Sequence, residues 1–305
     1  MAAELMQQGL NWLTLGCIYA LIAVGFSLLF GVLKVIHFSH GDVSLVAPFV
    51  ALAALQGWSA SASGMSAIGL LVACAIAVVA TGILGVVLDW LVIRRFRDAP
   101  AMMALVATVA LGIALRESVG HIFPNGHNPQ PFPRLIDANF NVTEGFNLPA
   151  FNVLVIGSSI AVVVLLFLLL QHTPLGVRIR AVSQDREAAR LMAISPSSVF
   201  RATFFITSAI GGLGGLFYAS YAGVTRFDFG IQAGLIGFSA AVVGGLGSMP
   251  GAIIGSLLIA GLDTIVQATL PDGASYRLVF AFLLVILVLV FRPAGLFGSV
   301  AVEKV

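Results

Sequence analysis

Charge is the scarcest thing in this sequence. Asp, Glu, Lys and Arg make up 9% of its 305 residues, against about 25% in a typical globular domain, while 59% are hydrophobic and the mean hydropathy is +1.07. A water-soluble fold of this length has nowhere to hide so much apolar surface, so its surroundings must themselves be apolar. The net charge of +2 is too small to signal a nucleic-acid partner. Cysteine is almost missing. Cys17 and Cys74 lie inside apolar runs with no metal-ligand spacing, which argues against a structural disulfide and identifies no compartment. Residues 1–8 hold Glu4 but no Lys or Arg, so the basic start of a cleavable signal peptide is lacking and the first apolar run is expected to stay in the mature chain. The sequence also lacks a Gly-x-x-x-x-Gly-Lys-Ser/Thr loop, a His-Glu-x-x-His pair and a Gly-x-Ser-x-Gly elbow. Nucleotide binding in the Walker manner is thereby excluded. No catalytic or metal constellation is visible, so no cofactor is expected in this chain.

What is present is a series of apolar runs. A helix crosses the ~30 Å hydrocarbon layer in about 20 residues. Candidates are Gly9–Gly31, Val43–Gly57, Met65–Ile93, Ala101–Phe123, Phe151–Leu170, Ala202–Ala222, Ile231–Met249, Gly251–Leu270 and Ala274–Phe291. Each must satisfy its backbone hydrogen bonds internally, and the strict alternation of a membrane barrel is absent. The expected fold is an all-α, polytopic bundle of eight to nine spans forming one domain over residues 1–305, with Val43–Gly57 and Ile231–Met249 the weakest spans.

Basic residues set the expected orientation. Arg94, Arg95, Arg97, Arg178, Arg180, Arg186, Arg190, Arg201, Arg292, Lys304 and Lys34, eleven of the fifteen, follow alternate runs. The positive-inside rule then puts the N-terminus outside and the C-terminus in the cytoplasm of a bacterial inner membrane. An outer loop, 124–150, carries Pro124, Pro129, Pro131, Pro133 and Pro149, which preclude a long helix but leave room for a hairpin or docked loop. An inner loop, 171–200, has helical periodicity after Pro174 and reads as an amphipathic surface helix. Within it Ser183 is placed to cap, Arg186 and Arg190 form an outward i, i+4 basic pair, and Ala188, Ala189, Leu191, Met192 and Ile194 form a small apolar knob before Pro196 ends the helix. Such a helix suits anionic lipid headgroups or a cytoplasmic protein partner.

Three strings carry a family resemblance. Residues 178–192, RIRAVSQDREAARLM, contain Glu187-Ala188-Ala189 and resemble the EAA loop of ABC-importer permeases in its branched-chain amino acid version. Residues 15–23 with 31–42 are similar to that family's opening signature, and residues 244–255 to its Gly-rich signature. The resemblance implies an ABC-importer permease for Leu, Ile and Val. Arg186, Glu187, Ala188, Ala189, Arg190, Leu191, Met192 and Ala193 would couple it to an ATP-binding subunit. It further implies two ATP-binding subunits that hold ATP and magnesium, a second homologous permease, and an extracytoplasmic substrate-binding protein. Ala193 stands where the family usually has Gly.

Other residues invite a role of their own. His37, Ser39, His40 and Asp42 lie beside apolar spans, where polar groups are costly and usually face a bundle interior or aqueous cavity. They could line a translocation path, cap the next helix at a polar corner of the cytoplasmic interface, or, with no fourth ligand in view, bind zinc. Asp263 and Gln267 share one helix face and either join such a path or satisfy each other between helices. Arg116 and Glu117 sit near the outer end of another span. Gly247, Gly251 and Gly255 recur every four residues below Gly244 and Gly245, a spacing for close helix packing, a subunit contact or a hinge, with Pro250 bending the stretch. Gly211, Gly212, Gly214 and Gly215 form a second small-residue patch. Urea or short amides remain alternative cargoes. An ion-coupled carrier using Asp42 or Asp263, or an intramembrane enzyme using His37 and His40, would be an alternative machine.

Overall fold

A computed structural model of the chain describes residues 2–59, 67–97, 99–136, 138–143 and 146–298. In chain order its helices are α1 (Ala2–Leu33), α2 (His40–Ser59), α3 (Ala67–Leu91), α4 (Ala101–Ile122), α5 (Ala150–His172), α6 (Pro174–Gln184), α7 (Arg186–Leu191), α8 (Pro196–Ala222), α9 (Phe229–Gly244), α10 (Met249–Thr269) and α11 (Arg277–Phe291). Four short strands complete it: β1 (Gln130–Pro131), β2 (Asn139–Thr143), β3 (Phe146–Pro149) and β4 (Val224–Thr225). The proline-rich 124–150 loop supplies three of them. β2 and β3 form a hairpin, and β1 pairs antiparallel with β4, tying the loop to the end of α8.

Each of the nine apolar runs contains a helix among the described residues. Among the described residues seven are long and apolar enough to cross a membrane, and the exceptions are α2 and α9. At 1.5 Å per residue the 16 residues of α9 reach about 24 Å, short of a bilayer core. α1 forms the centre, with 83% of its span buried, whereas the spans of α5 and α11 are only 17% and 11% buried. Ile160, Leu165 and Phe167 on α5, with Leu283, Ile286 and Val290 on α11, point away from the protein. An apolar perimeter of this kind is stable only in lipid, so the chain is a multi-pass membrane protein.

Glycine sets the closest packing. A Cβ on Gly215 would lie 2.1 Å from the Ser44 carbonyl oxygen, and one on Gly214 would meet Ile22, so the second glycine patch is where α1, α2 and α8 touch. The first patch works between α9 and α10: Gly244 backs onto Gly251, and Gly255 onto Ala240. The expected Gly247–Gly251–Gly255 face does not form, because α10 begins at Met249 and Gly247 sits in the preceding turn with φ 88°. Pro250 lies in the first turn of α10, where its missing N–H is harmless, and bends nothing.

The largest departure from a simple up-and-down bundle follows α1. Lys34 takes φ 58°, and the chain climbs back through residues 35–39 before α2 begins. His40 lies against Gly25 and Gly211, and Asp42 against Gly112, the middle of α4. α2 therefore starts halfway along the bundle. It then runs parallel to α8, with Ala47 and Ala51 packed on Leu216 and Ala219.

Candidate translocation and coupling site

The inner loop is two helices rather than one. The Asp185 carboxylate accepts from the backbone N–H of Glu187 (2.8 Å) and Ala188 (3.0 Å), capping α7 and breaking it from α6. Ser183 does not cap; its hydroxyl donates to the Arg180 carbonyl. α7 ends at Leu191, well before Pro196, and is closed by Ala193, whose φ of 60° lets Ile194 N–H reach the Ala189 carbonyl and Ala193 N–H the Arg190 carbonyl, a Schellman closure. Pro196 instead opens α8.

This short helix presents Glu187, Ala188, Arg190, Leu191, Met192 and Ala193 to solvent and buries Ala189. Leu191 is 89% and Met192 76% exposed, an unpartnered apolar tip on a polar loop. Arg190 pairs with Glu187 at 2.7 Å. Arg186 departs from the expected outward pair. It turns into the bundle, donates from Nη2 to the Leu33 carbonyl at 2.6 Å, and lies over the Phe200 ring, which Arg97 also covers. Leu33 ends α1, so this bond satisfies one of the carbonyls that a helix end leaves free.

From Leu33 the climbing segment leads to the polar cluster. Leu33, Val35 and His37 share a slot with Phe96, Arg97, Arg186 and Phe204. The Phe38 N–H donates to Thr108 Oγ1 on α4, and Ser39 Oγ and His37 Nε2 lie 3.1 Å apart. His37, Ser39, His40 and Asp42 are all buried. They occupy mid-bundle rather than a corner at its end. Arg116 meets Asp42 at 3.1 Å. Glycines make the room: Cβ atoms on Gly112 and Gly230 would come within 2.5 Å of the Asp42 carboxylate, and one on Gly41 would strike Gly234. Beside the ion pair is a cavity of about 110 Å³ lined by Phe38, Val109, Ile231 and Leu235.

The family described as the permease component of the branched-chain amino acid transport system matches residues 9–289. This chain belongs to that family. It is 30% identical over 306 residues to the high-affinity branched-chain amino acid transport system permease protein BraD of Pseudomonas aeruginosa, covering 98% of each chain. To the corresponding permease protein LivH of Escherichia coli it is 30% identical over 314 residues, covering 98% of this chain and 97% of the other. Its fold resembles that of PsaBC from Streptococcus pneumoniae solved with a Fab, with TM-score 0.51 and 14% identity over 97% of this chain and 98% of that one.

In this permease Asp263 and Gln267 lie apart from the mid-bundle cluster. Asp263 is held by Tyr19 (2.9 Å), Gln267 (2.6 Å) and Arg277 (2.9 Å), and Arg277 reaches on to Tyr218. All of its partners belong to α1, α10 and α11, and the carboxylate is buried among them. The ligand atoms of His37, His40 and Asp42 do not converge as a metal set. Among the described residues the group that does is Glu117, His121 and His127. The sequence singled out Glu117, as a neighbour of Arg116 near the end of a span, but not His121 or His127, and it did not mark Arg116 as the partner of Asp42. The second omission had no sequence signal, because the pair spans two helices brought together by Gly112 and Gly230.

Proposed function

We propose that this permease is the passive membrane subunit of an ATP-driven importer of branched-chain amino acids in the bacterial inner membrane. The end bearing α6, α7 and most arginines faces the cytoplasm, by the positive-inside rule. Nine passes, with residues 35–39 completing the second, put the N-terminus outside. The Leu191–Met192 tip of α7 docks on one of two ATP-binding subunits, which hold ATP and magnesium. A second permease and an external binding protein complete the assembly.

The observation that carries this reading is the hydrogen bond from Arg186 to Leu33. It joins the exposed docking helix to the segment that leads directly into the mid-bundle polar cluster. Force applied to α7 pulls on the last carbonyl of α1, on Lys34 and on the climb toward His37. The Asp42–Arg116 pair supports the substrate class. A zwitterionic amino acid offers a carboxylate to Arg116 and an ammonium to Asp42 while its branched side chain meets Val109, Ile231 and Leu235. Urea and short amides carry no such pair of charges.

Uptake of radiolabelled leucine, urea and acetamide by a transport-deficient strain tests both parts. Leucine should accumulate, only when ATP-binding subunits are co-expressed, and Asp42→Asn should abolish it. Accumulation by the permease alone under an ion gradient would support a secondary carrier. Uptake of urea but not leucine would overturn the substrate assignment.

A further inference from the structure

The end of α4 opposite the coupling loop carries a cluster that the transport reading does not use. Glu117 and His121 stand four residues apart on one face of the helix. After Phe123 the chain reverses and brings His127 back over that face. The fold-back depends on glycine. A Cβ on Gly126 would lie 2.6 Å from the Val119 carbonyl oxygen, and one on Gly120 would lie 2.5 Å from the His127 ring. Asn125 takes φ 54° at the turn, and the Gln130 side chain donates to the Asn125 carbonyl and ties the loop down. The His127 ring also packs, tilted, against Phe227 with centroids 5.1 Å apart. Its position is therefore set by packing on several sides.

The donors lie close enough to converge on one ion. One atom each from Glu117, His121 and His127 lies within 4.8 Å of the others, and all three residues are exposed. His127 Nε2 is 3.6 Å from Glu117 Oε2. His121 Nδ1 is 2.8 Å from the Glu117 carbonyl oxygen, so Nδ1–H donates there and Nε2 keeps its lone pair outward. Metal-ligating histidines use such a bond to fix tautomer and ring direction. Around a tetrahedral ion with bonds near 2.0–2.1 Å, ligand atoms stand about 3.4 Å apart, so small side-chain rotations close the set.

We propose that Glu117, His121 and His127 form a binding site for a borderline divalent transition-metal ion, of which Zn²⁺ is the type, with solvent in the fourth position. Two imidazoles and one carboxylate favour zinc, cobalt or nickel over magnesium or calcium, which prefer oxygen. The ion would clip residues 123–128 to the last turns of α4, one residue beyond the Arg116 that pairs with Asp42.

Cobalt is the probe of choice. The full-length permease, purified in detergent through a tag free of histidine, is titrated with Co²⁺ and then with Zn²⁺. The site predicts intense visible d–d bands of four-coordinate cobalt at one equivalent, bleached by Zn²⁺. His127→Ala and Glu117→Gln should weaken binding by more than about tenfold, since even loss of an outer partner costs that much. Gly120→Ala removes no ligand but displaces the His127 ring, and should weaken binding too, whereas Ser118→Ala on the neighbouring exposed face should not. Weak bands of six-coordinate cobalt, or affinity unchanged in His127→Ala, would overturn the site and leave adventitious surface binding only. Neither result bears on the transport reading, because no residue of the cluster belongs to it.

Discussion

Ala193 holds a left-handed backbone at the close of α7, with a Schellman pair of hydrogen bonds built on it. A Cβ in that region costs roughly 1–2 kcal/mol, and glycine would remove the cost while adding about 0.4–1 kcal/mol of unfolded-state freedom. Ala193→Gly should therefore stabilise the protein by about 0.5–1 kcal/mol, read as a higher midpoint of thermal unfolding in detergent; a lower midpoint would contradict the assignment. The resemblance flagged this position, because relatives usually place glycine there. Its sense is conformational. Asp263 illustrates the opposite case, a residue whose role in sequence was open. Its carboxylate is buried against Arg277, and removing one member of such a pair costs about 3–5 kcal/mol because the other charge is stranded. Asp263→Asn should lower the unfolding midpoint strongly, and Asp263→Leu combined with Arg277→Met should recover most of the loss. An unchanged midpoint with abolished leucine uptake would instead place Asp263 on the path.

Helices long enough to span were legible as elements, because lipid demands uninterrupted apolar runs and nothing else produces them. The two runs that fell short, α2 and α9, are the pair whose backbones meet at Gly41 and Gly234. Their shortness reflects geometry. α2 starts at mid-bundle because residues 34–39 take up part of the crossing in bends and a turn rather than helix, and composition carries no trace of where such a chain turns. The amphipathic period of the inner loop likewise ran straight through Asp185, since capping is a three-dimensional choice between Ser183 and Asp185 that periodicity does not see. Packing at the glycine contact is unforgiving. A Cβ on Gly41 would sit 2.4 Å from the Gly234 Cα, so Gly41→Ala must part α2 from α9. Overpacking of this kind costs about 1–3 kcal/mol. We expect a lower thermal midpoint and loss of leucine uptake with normal membrane insertion; full uptake would mean that the α2 start tolerates displacement.

Across the whole molecule, composition alone specified a membrane bundle, and three strings specified the family, while the inner site waited on contacts between distant helices. The polar cluster was visible as residues 37–42, but its partner Arg116 and the apolar lining at Val109, Ile231 and Leu235 come from α4 and α9. On the proposed reading the molecule is a conduit without a motor, centred on α1, with a handle at α7. Everything depends on that handle reaching the cytoplasm and a partner there. A single Leu191→Cys, in a background with Cys17→Ala and Cys74→Ala, tests this with a membrane-impermeant maleimide. Labelling is predicted in inverted vesicles, not in intact spheroplasts, with protection when ATP-binding subunits are co-expressed. Labelling from outside intact spheroplasts would contradict the orientation and the coupling together.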